Sequence, residues 1–116
     1  MVHQLLMRQL LRAMSYQYQA DHIGALTDIN KTIPLNNNDD YAHYKKGMIL
    51  WKLNDNMGAE KSFNKAIELS PESPEYYLKR GLVRYENNKT GACADWSKAG
   101  ELGEYKAYDY IKDYCK

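Results

Sequence analysis

Small and apolar residues recur along this chain at intervals of 34 positions. One series comprises Ala13, Gly47 and Gly81, and a second comprises Gly24, Gly58 and, one residue early, Gly91. After each member of the second series come an apolar residue and then a small one, at Ile29 and Thr32, Phe63 and Ala66, and Trp96 and Ala99. A fixed period of this length is typical of stacked units of supersecondary structure.

The middle unit of the series shows why one period predicts a pair of helices. Positions 41–53 are rich in helix formers and apolar residues, positions 54–58 predict a turn, and Pro71 ends a second helix. One face of that second helix carries Ala59, Phe63, Ala66 and Ile67. Gly47 is small where two antiparallel helices approach closely, and Phe63 is the large side chain between them. The pattern therefore predicts an αα-hairpin.

The end of the chain predicts a further helix with a different role. Its apolar residues recur at spacings of three and four, at Tyr105, Tyr108, Ile111 and Cys115. A stack of helix pairs exposes the apolar face of its last pair, and a terminal helix with a polar outer face covers it. Residues 104–115 are therefore predicted to form a capping helix.

The repeated unit resembles a known family, the tetratricopeptide repeat. In the middle unit, the positions of the family's sequence motif are occupied by His43, Lys46, Gly47, Leu50, Ala59, Phe63, Ala66 and Pro71. The third unit has Tyr77, Arg80, Gly81, Arg84, Ala92, Trp96 and Ala99 there, and the more degenerate first unit has Gln9, Ala13, Tyr16, Ala25, Ile29 and Thr32. Because the matches recur in register, they support one another.

The resemblance implies an all-α fold, a right-handed α-solenoid of three helix–turn–helix repeats plus a C-terminal capping helix. The repeats are expected at about residues 6–39, 40–73 and 74–103, with the cap at about 104–115 and all of 1–116 in a single domain. The stretch from Gly91 to Cys115 also resembles the closing repeat of many bacterial arrays, which implies a bacterial source. Members of the family are interaction scaffolds, so neither an enzyme activity nor a cofactor is expected.

Composition and charge narrow the expected partners. The chain has 116 residues with 16 basic and 15 acidic side chains, a net charge of +1, so no nucleic acid partner is expected. RNA binding through stacked tyrosines, of which there are eleven, stays as an alternative. No apolar run reaches the roughly 18 residues of a membrane span. Arg8 and Arg12 interrupt the opening apolar stretch, which therefore predicts an amphipathic helix and not a signal peptide.

In the family, the first helix of each repeat lines a concave groove that holds a partner. The groove places carry Met7, Leu10, Met14 and Gln17, then Tyr41, Tyr44, Met48 and Trp51, then Glu75, Leu78, Leu82 and Tyr85. Helical spacing independently puts the second set on one face, and such residues suit adaptable apolar contacts. We therefore expect a non-catalytic module that binds a peptide or helix of a partner protein. Its expected anchors are Tyr41, Tyr44, Met48, Trp51, Leu78, Leu82 and Tyr85.

Two alternatives to this groove remain open at the level of sequence. In the first, part of the stripe is core between neighbouring repeats. In the second, the chain has an architectural role, and its first helix stacks on another copy or on a missing upstream repeat through Leu5, Leu6, Leu10 and Leu11. Some family members bind a C-terminal carboxylate with a basic cluster, but the matching places hold Leu10, Met14, Lys45, Glu75 and Lys79. With two basic residues among five, such a clamp is not expected.

The two cysteines are Cys93, beside the predicted core face of the third repeat, and Cys115, at the end of the cap. A disulfide between them would join the cap to that repeat if their Cα atoms lie within about 7 Å. The pairing depends on the compartment, because the cysteines stay reduced in the cytoplasm and a bridge implies an exported, periplasmic protein. Neither the cysteines nor the scattered histidines have the spacing of a metal or catalytic site, so none is expected.

Overall fold

The computed structural model describes residues 2–116, and Met1 and the side chain of Tyr16 lie outside the described residues. Within that range there are six α-helices and no strand. The helices are α1 Val2–Thr32, α2 Asp40–Lys52, α3 Asn56–Leu69, α4 Pro74–Arg84, α5 Lys89–Glu101 and α6 Lys106–Tyr114, with a short 3-10 turn at Ile33–Leu35. The expectation of an all-α fold is confirmed.

Two helix pairs, α2 with α3 and α4 with α5, form the predicted hairpins of the second and third repeats. Each pair closes on one large ring, Phe63 at 0% exposure and Trp96 at 1%. A Cβ atom at Gly47 would lie 2.7 Å from the Phe63 ring, and one at Gly81 would lie 2.5 Å from the Trp96 indole. Because close-packed interiors have no room for such overlap, the ring of one helix requires glycine on the other.

Short polar side chains set the turn inside each hairpin. Asp55 Oδ1 accepts a hydrogen bond of 2.9 Å from the backbone N–H of Gly58. Asn88 Oδ1 accepts one of 2.9 Å from the backbone N–H of Gly91. Both are N-caps, which satisfy a donor that the first turn of a helix leaves unpaired. Just before Asp55, Asn54 has φ 65°, a left-handed conformation that asparagine tolerates better than most residues.

The first repeat does not form the hairpin expected at about residues 6–39. Instead, α1 runs unbroken for 31 residues. The physical reason lies at Ala20, which occupies the place of Asn54 in the 34-residue period. Alanine is the best helix former and is disfavoured in the left-handed conformation that the turn uses, so the helix continues. Asp21, in the place of the N-cap Asp55, accepts a hydrogen bond of 2.9 Å from Gln17 Nε2 within the helix.

The core consists of two clusters, which we name by their order along the chain. The N-terminal cluster comprises Tyr44, Ala59, Phe63, Ala66, Tyr76 and Val83. The C-terminal cluster comprises Tyr77, Leu78, Ala92, Trp96, Ala99 and Ala107. The second half of α1 packs against α2. By contrast, the described side chains from Val2 to Asp21 are exposed, so the first half of α1 adds nothing to either cluster.

A buried carboxylate links the helices of the third repeat. Asp95 on α5 is 4% exposed. Its Oδ1 accepts a hydrogen bond of 2.7 Å from Arg80 Nη2, and its Oδ2 accepts one of 3.2 Å from Arg84 Nη1. Arg84 Nε also donates to Glu60 Oε1 on α3 at 2.6 Å, which ties the second repeat to the third. Because every charge in this network has a partner, the carboxylate can be buried.

Candidate functional site

The candidate site is the surface that the first helices of the repeats present, and its anchor residues come from α2 and α4. Tyr41 on α2 is 54% exposed. Met48 and Trp51 are half-buried and pack against the N-terminal cluster. Leu82 on α4 and Tyr85, the residue that follows α4, are half-buried and pack against the C-terminal cluster. We call the surface defined by these five residues the A-helix groove.

Two of the seven expected anchors are core residues. Tyr44 is 7% exposed and Leu78 is 5% exposed. The Tyr44 ring stacks on Tyr76 of the next repeat with the ring centroids 4.9 Å apart. The Trp96 indole Nε1 donates a hydrogen bond of 3.2 Å to the backbone carbonyl of Leu78. At these two positions the side chains lie between helices, which agrees with the alternative that part of the stripe is core.

Two tyrosine hydroxyls cross-link α2 and α4 beneath the groove. Tyr44 on α2 donates to Glu75 Oε1 on α4 at 2.9 Å, and Tyr76 on α4 donates to Asp40 Oδ2 on α2 at 2.6 Å. Burial raises the pKa of both tyrosines above the ordinary value, and the hydrogen bonds to the carboxylates raise it further. Both hydroxyls therefore stay protonated, as the two hydrogen bonds require.

The groove opens into a cavity at its C-terminal end. The cavity has a volume of about 240 Å³ and is lined by Leu82, Tyr85, Trp96, Tyr110 and Tyr114. The Tyr85 ring stacks on Trp96 with centroids 5.8 Å apart and meets Tyr114 edge-on at 5.3 Å. Four aromatic rings thus surround one space: Tyr85 follows α4, Trp96 lies on α5, and α6 supplies Tyr110 and Tyr114.

Tyr110 and Tyr114 are site residues that the sequence did not indicate. The 34-residue period ends before α6, so the family pattern assigns no groove place to this helix. The only signal in the sequence is that the two tyrosines are four residues apart and therefore lie on one helical face. The stripe expected to cover the third repeat included Tyr105, which is 73% exposed, whereas Ala107 is the fully buried residue of the cap.

The first-repeat groove places do not join the others. Met7, Leu10 and Met14 are 45%, 54% and 59% exposed on the free half of α1. The candidate groove therefore spans two repeats and the cap. Of the basic residues considered for a carboxylate clamp, Lys45 lies with Nζ 4.8 Å from the centroid of the Tyr41 ring, a cation–π contact within one helix.

Cys93 and Cys115 are joined in the structure. Their sulfur atoms are 2.08 Å apart and their Cα atoms 6.0 Å apart. The disulfide connects α5 to the residue that follows α6. It lies one residue beyond Tyr114, so it holds the helix that completes the cavity.

The described residues present neither a metal site nor a membrane span. No group of three or more His, Cys, Asp or Glu side chains in residues 2–116 is arranged to hold a metal ion. Nor does any described helix combine the length and the apolar character needed to cross a bilayer.

Comparisons with known proteins agree with this architecture. Residues 52–88 match the family model described as TPR repeat, from the last residue of α2 into the turn before α5. Among solved structures, 42 chains match. One is the first TPR of Spaghetti (RPAP3), bound to an HSP90 peptide with the sequence SRMEEVD. It aligns with a TM-score of 0.77 and 18% identity, over 90% of this chain and 85% of that chain. No curated protein matches.

The matched repeat and the shared architecture define the fold. Residues 52–88 are similar to a TPR repeat, and the chain, built from stacked helix pairs and a terminal capping helix, shares the fold of a solved TPR domain. Scaffolds of this kind present extended surfaces for recognition.

Proposed function

We propose that this chain binds a segment of a partner protein in the A-helix groove and that apolar side chains of the segment supply most of the affinity. The observation that carries the proposal is the aromatic cavity between α4, α5 and α6. The solved TPR domain bound to an HSP90 peptide gives general support for a peptide as ligand. Tyr41, Met48 and Trp51 extend the same surface along α2.

The size of the cavity favours a single side chain over a whole small molecule. Its volume is about 240 Å³. Sites for drug-sized ligands range from about 300 to 1,000 Å³. The lining combines the apolar Leu82 with tyrosine rings, whose hydroxyl groups can remain in water while the rings are covered. A large aliphatic or aromatic side chain fits this chemistry, and the peptide backbone then runs over α4 toward Tyr41.

The charges near the groove do not favour a terminal carboxylate as the main determinant. Glu75 lies on α4 and accepts the hydrogen bond from Tyr44, so a negative charge occupies one of the five clamp places. Leu10 and Met14 occupy two more on the exposed half of α1. Lys45 and Lys79 are the two basic residues of the set. We infer that binding depends on apolar contacts and changes little with salt.

The experiment selects peptides from a random displayed library on the wild-type chain and measures the dissociation constant of the best one. Leu82→Asp and Tyr114→Ala change two lining residues of the cavity, one from the third repeat and one from the cap, that are not fully buried. Each is expected to weaken binding about tenfold or more, as loss of an aromatic or aliphatic anchor does. Met57→Ala is the matched control, because Met57 is 79% exposed on α3 and does not line the cavity.

Two results would contradict the proposal. One is a peptide that binds the wild type and both cavity variants with equal affinity. The other is binding that falls about a hundredfold between about 50 and 300 mM salt, since that is the behaviour of a charge clamp. Circular dichroism of each variant shows whether the helices remain, so a loss of binding is not confused with unfolding.

A further inference from the structure

The first half of α1 carries an apolar surface that nothing covers in the part of the chain that the structure describes. Val2, Leu5, Leu6, Leu10, Leu11 and Met14 are 54–73% exposed. The second half of the same helix packs on α2, much as α3 packs on α4. The second half of α1 therefore occupies the position of the second helix of a repeat. No helix of the described chain packs against it as the first helix of that repeat would.

Three positions that are fully buried in the second and third repeats are partly or fully exposed in α1. In α3 and α5 they are held by Ala59, Phe63, Ala66, Ala92, Trp96 and Ala99, none more than 1% exposed. The corresponding residues of α1 are Ala25 and Ile29, which are half-buried, and Thr32, which is exposed. The difference arises because a first helix covers these positions in the second and third repeats.

The first half of α1 has the side-chain sizes that this missing helix needs. Where the large residue is Phe63 or Trp96, the opposing residue is a glycine, because even a Cβ would overlap the ring. In the first repeat the large residue is the smaller Ile29, and the opposing place holds Ala13. The added methyl group of Ala13 compensates for the smaller side chain of Ile29, as tight packing between two helices requires.

The charges follow the same register. Arg80 and Asp95 form the ion pair at 2.7 Å across the third hairpin. The residues at these two places in the first repeat are Arg12 and Asp28. Neither forms an ion pair within residues 2–116. They are 16 positions apart on one straight helix, hence about 24 Å at 1.5 Å per residue, and cannot meet within it.

We propose that two copies of this chain complete their first repeats by exchanging the first halves of α1. The two helices lie antiparallel, with the two-fold axis near Asp21. Arg12 and Ala13 of each copy meet Asp28 and Ile29 of the other. The contacts are those of a hairpin, but they form between chains, which is the principle of domain swapping.

The turn region explains why the exchange is favoured over closure within one chain. A hairpin with the turn of the second repeat would place Ala20 in the left-handed conformation of Asn54, which alanine adopts less readily than asparagine. Two straight helices make the same contacts without that conformation. The exchange also brings Met7 and Met14 of one copy beside α2 of the other, so the partner copy extends the A-helix groove.

The test measures the mass of the intact chain by sedimentation equilibrium over a wide concentration range, for the wild type, Arg12→Asp and Asp28→Arg. The wild type is expected to reach twice the 13.5 kDa of one chain. Each single variant places two pairs of like charges in the dimer, which weakens dimerisation about tenfold or more. Because both residues are exposed on α1, the fold of α2–α6 is unaffected.

Mixing the two single variants distinguishes the exchange of helices between two chains from closure of a hairpin within one chain. In a mixed dimer, the new acidic side chain of one variant faces the new basic side chain of the other, and at the second contact the unchanged Arg12 faces the unchanged Asp28. Both contacts then join opposite charges, so an equimolar mixture is expected to recover wild-type dimerisation. A wild type that is monomeric at every concentration would overturn the proposal. So would single variants that dimerise as well as the wild type, or a mixture that is no stronger than its components.

Discussion

The N-terminal and C-terminal clusters are built on the same helix pair but are stabilised by different interactions. In the N-terminal cluster, Tyr44 and Tyr76 stack beneath the groove and donate their hydroxyls to carboxylates on the neighbouring first helix. In the C-terminal cluster, a buried carboxylate, a disulfide and the cap surround Trp96. The repeat pattern sets the backbone and the central ring, and the flanking residues decide whether the groove is filled or open.

This difference locates the candidate site. Tyr44 lies between the first helices of the second and third repeats, where its ring stacks on Tyr76. At the corresponding place of the third repeat, Leu78 is shorter, and α6 stands where another first helix would be. The space between Tyr85 and Tyr114 therefore remains open to a ligand.

The largest expected effect comes from the carboxylate that only the C-terminal cluster contains. Asp95→Ala leaves Arg80 and Arg84 without their buried partner, which should lower the free energy of unfolding by about 3–5 kcal/mol. Urea denaturation measures the change. Ser62→Ala is the matched control, since Ser62 holds the same place in α3, is 7% exposed and carries no charge. A loss in Asp95→Ala no larger than the roughly 1 kcal/mol of an exposed ion pair would show that the network adds little.

The second effect concerns the covalent link of the cap. A disulfide between cysteines 22 residues apart is expected to contribute about 3 kcal/mol by constraining the unfolded chain. Cys93→Ala/Cys115→Ala should therefore reduce the free energy of unfolding by that amount and loosen α6, which hydrogen exchange at the amides of α6 reports. The N-terminal cluster, which has no such link, should keep its exchange protection. Equal loss in both clusters would mean that they unfold as one unit.

The smallest effect belongs to the tyrosines of the N-terminal cluster. Below about pH 10 they are protonated in the folded and the unfolded chain, so their contribution is complete. Above that pH the unfolded chain loses protons that the folded chain keeps, because the folded pKa values of Tyr44 and Tyr76 are raised. Stability should therefore fall by about 1 kcal/mol for each tyrosine between about pH 9 and 11.

Tyrosine-to-phenylalanine variants test that assignment. Tyr44→Phe/Tyr76→Phe should be less stable at neutral pH but should show a flatter decline with rising pH. Tyr105→Phe is the control, because Tyr105 is 73% exposed and its substitution should leave the slope unchanged. If the slope of the double variant equals that of the wild type, other groups cause the alkaline loss.

Much of the fold could be predicted from the sequence because the repeat places contain their own packing rule. Gly47 opposite Phe63 and Gly81 opposite Trp96 require two close antiparallel helices, and the caps at Asp55 and Asn88 are visible as turn residues. The period alone predicts a hairpin in the first repeat, where the structure has one continuous helix. Asp21 and Gly24 repeat the turn signal of the second unit, but Ala20 stands in the place of Asn54, the residue of that turn that adopts positive φ.

The site was harder to predict because exposure depends on what lies across the groove. Tyr41 and Tyr44 have the same residue type on the same helical face, yet one is exposed and the other is covered by Tyr76 from the next repeat. Tyr114 belongs to the cap, whose rotation about its axis is not set by the repeat. The expectation that Tyr41, Met48, Trp51, Leu82 and Tyr85 contact a partner remains a prediction.

A glycine in one helix lies directly against an aromatic ring of another helix at three places: Gly47 with Phe63, Gly81 with Trp96 and Gly100 with Tyr108. At the first two junctions, where the rings of Phe63 and Trp96 are buried, the space for one residue is defined by the volume of the other. During evolution the two positions must consequently mutate in concert, and an enlarged glycine is viable only after its ring has shrunk. Relatives of this chain should therefore show correlated substitution at each of these two pairs, whichever ligands they have come to recognise.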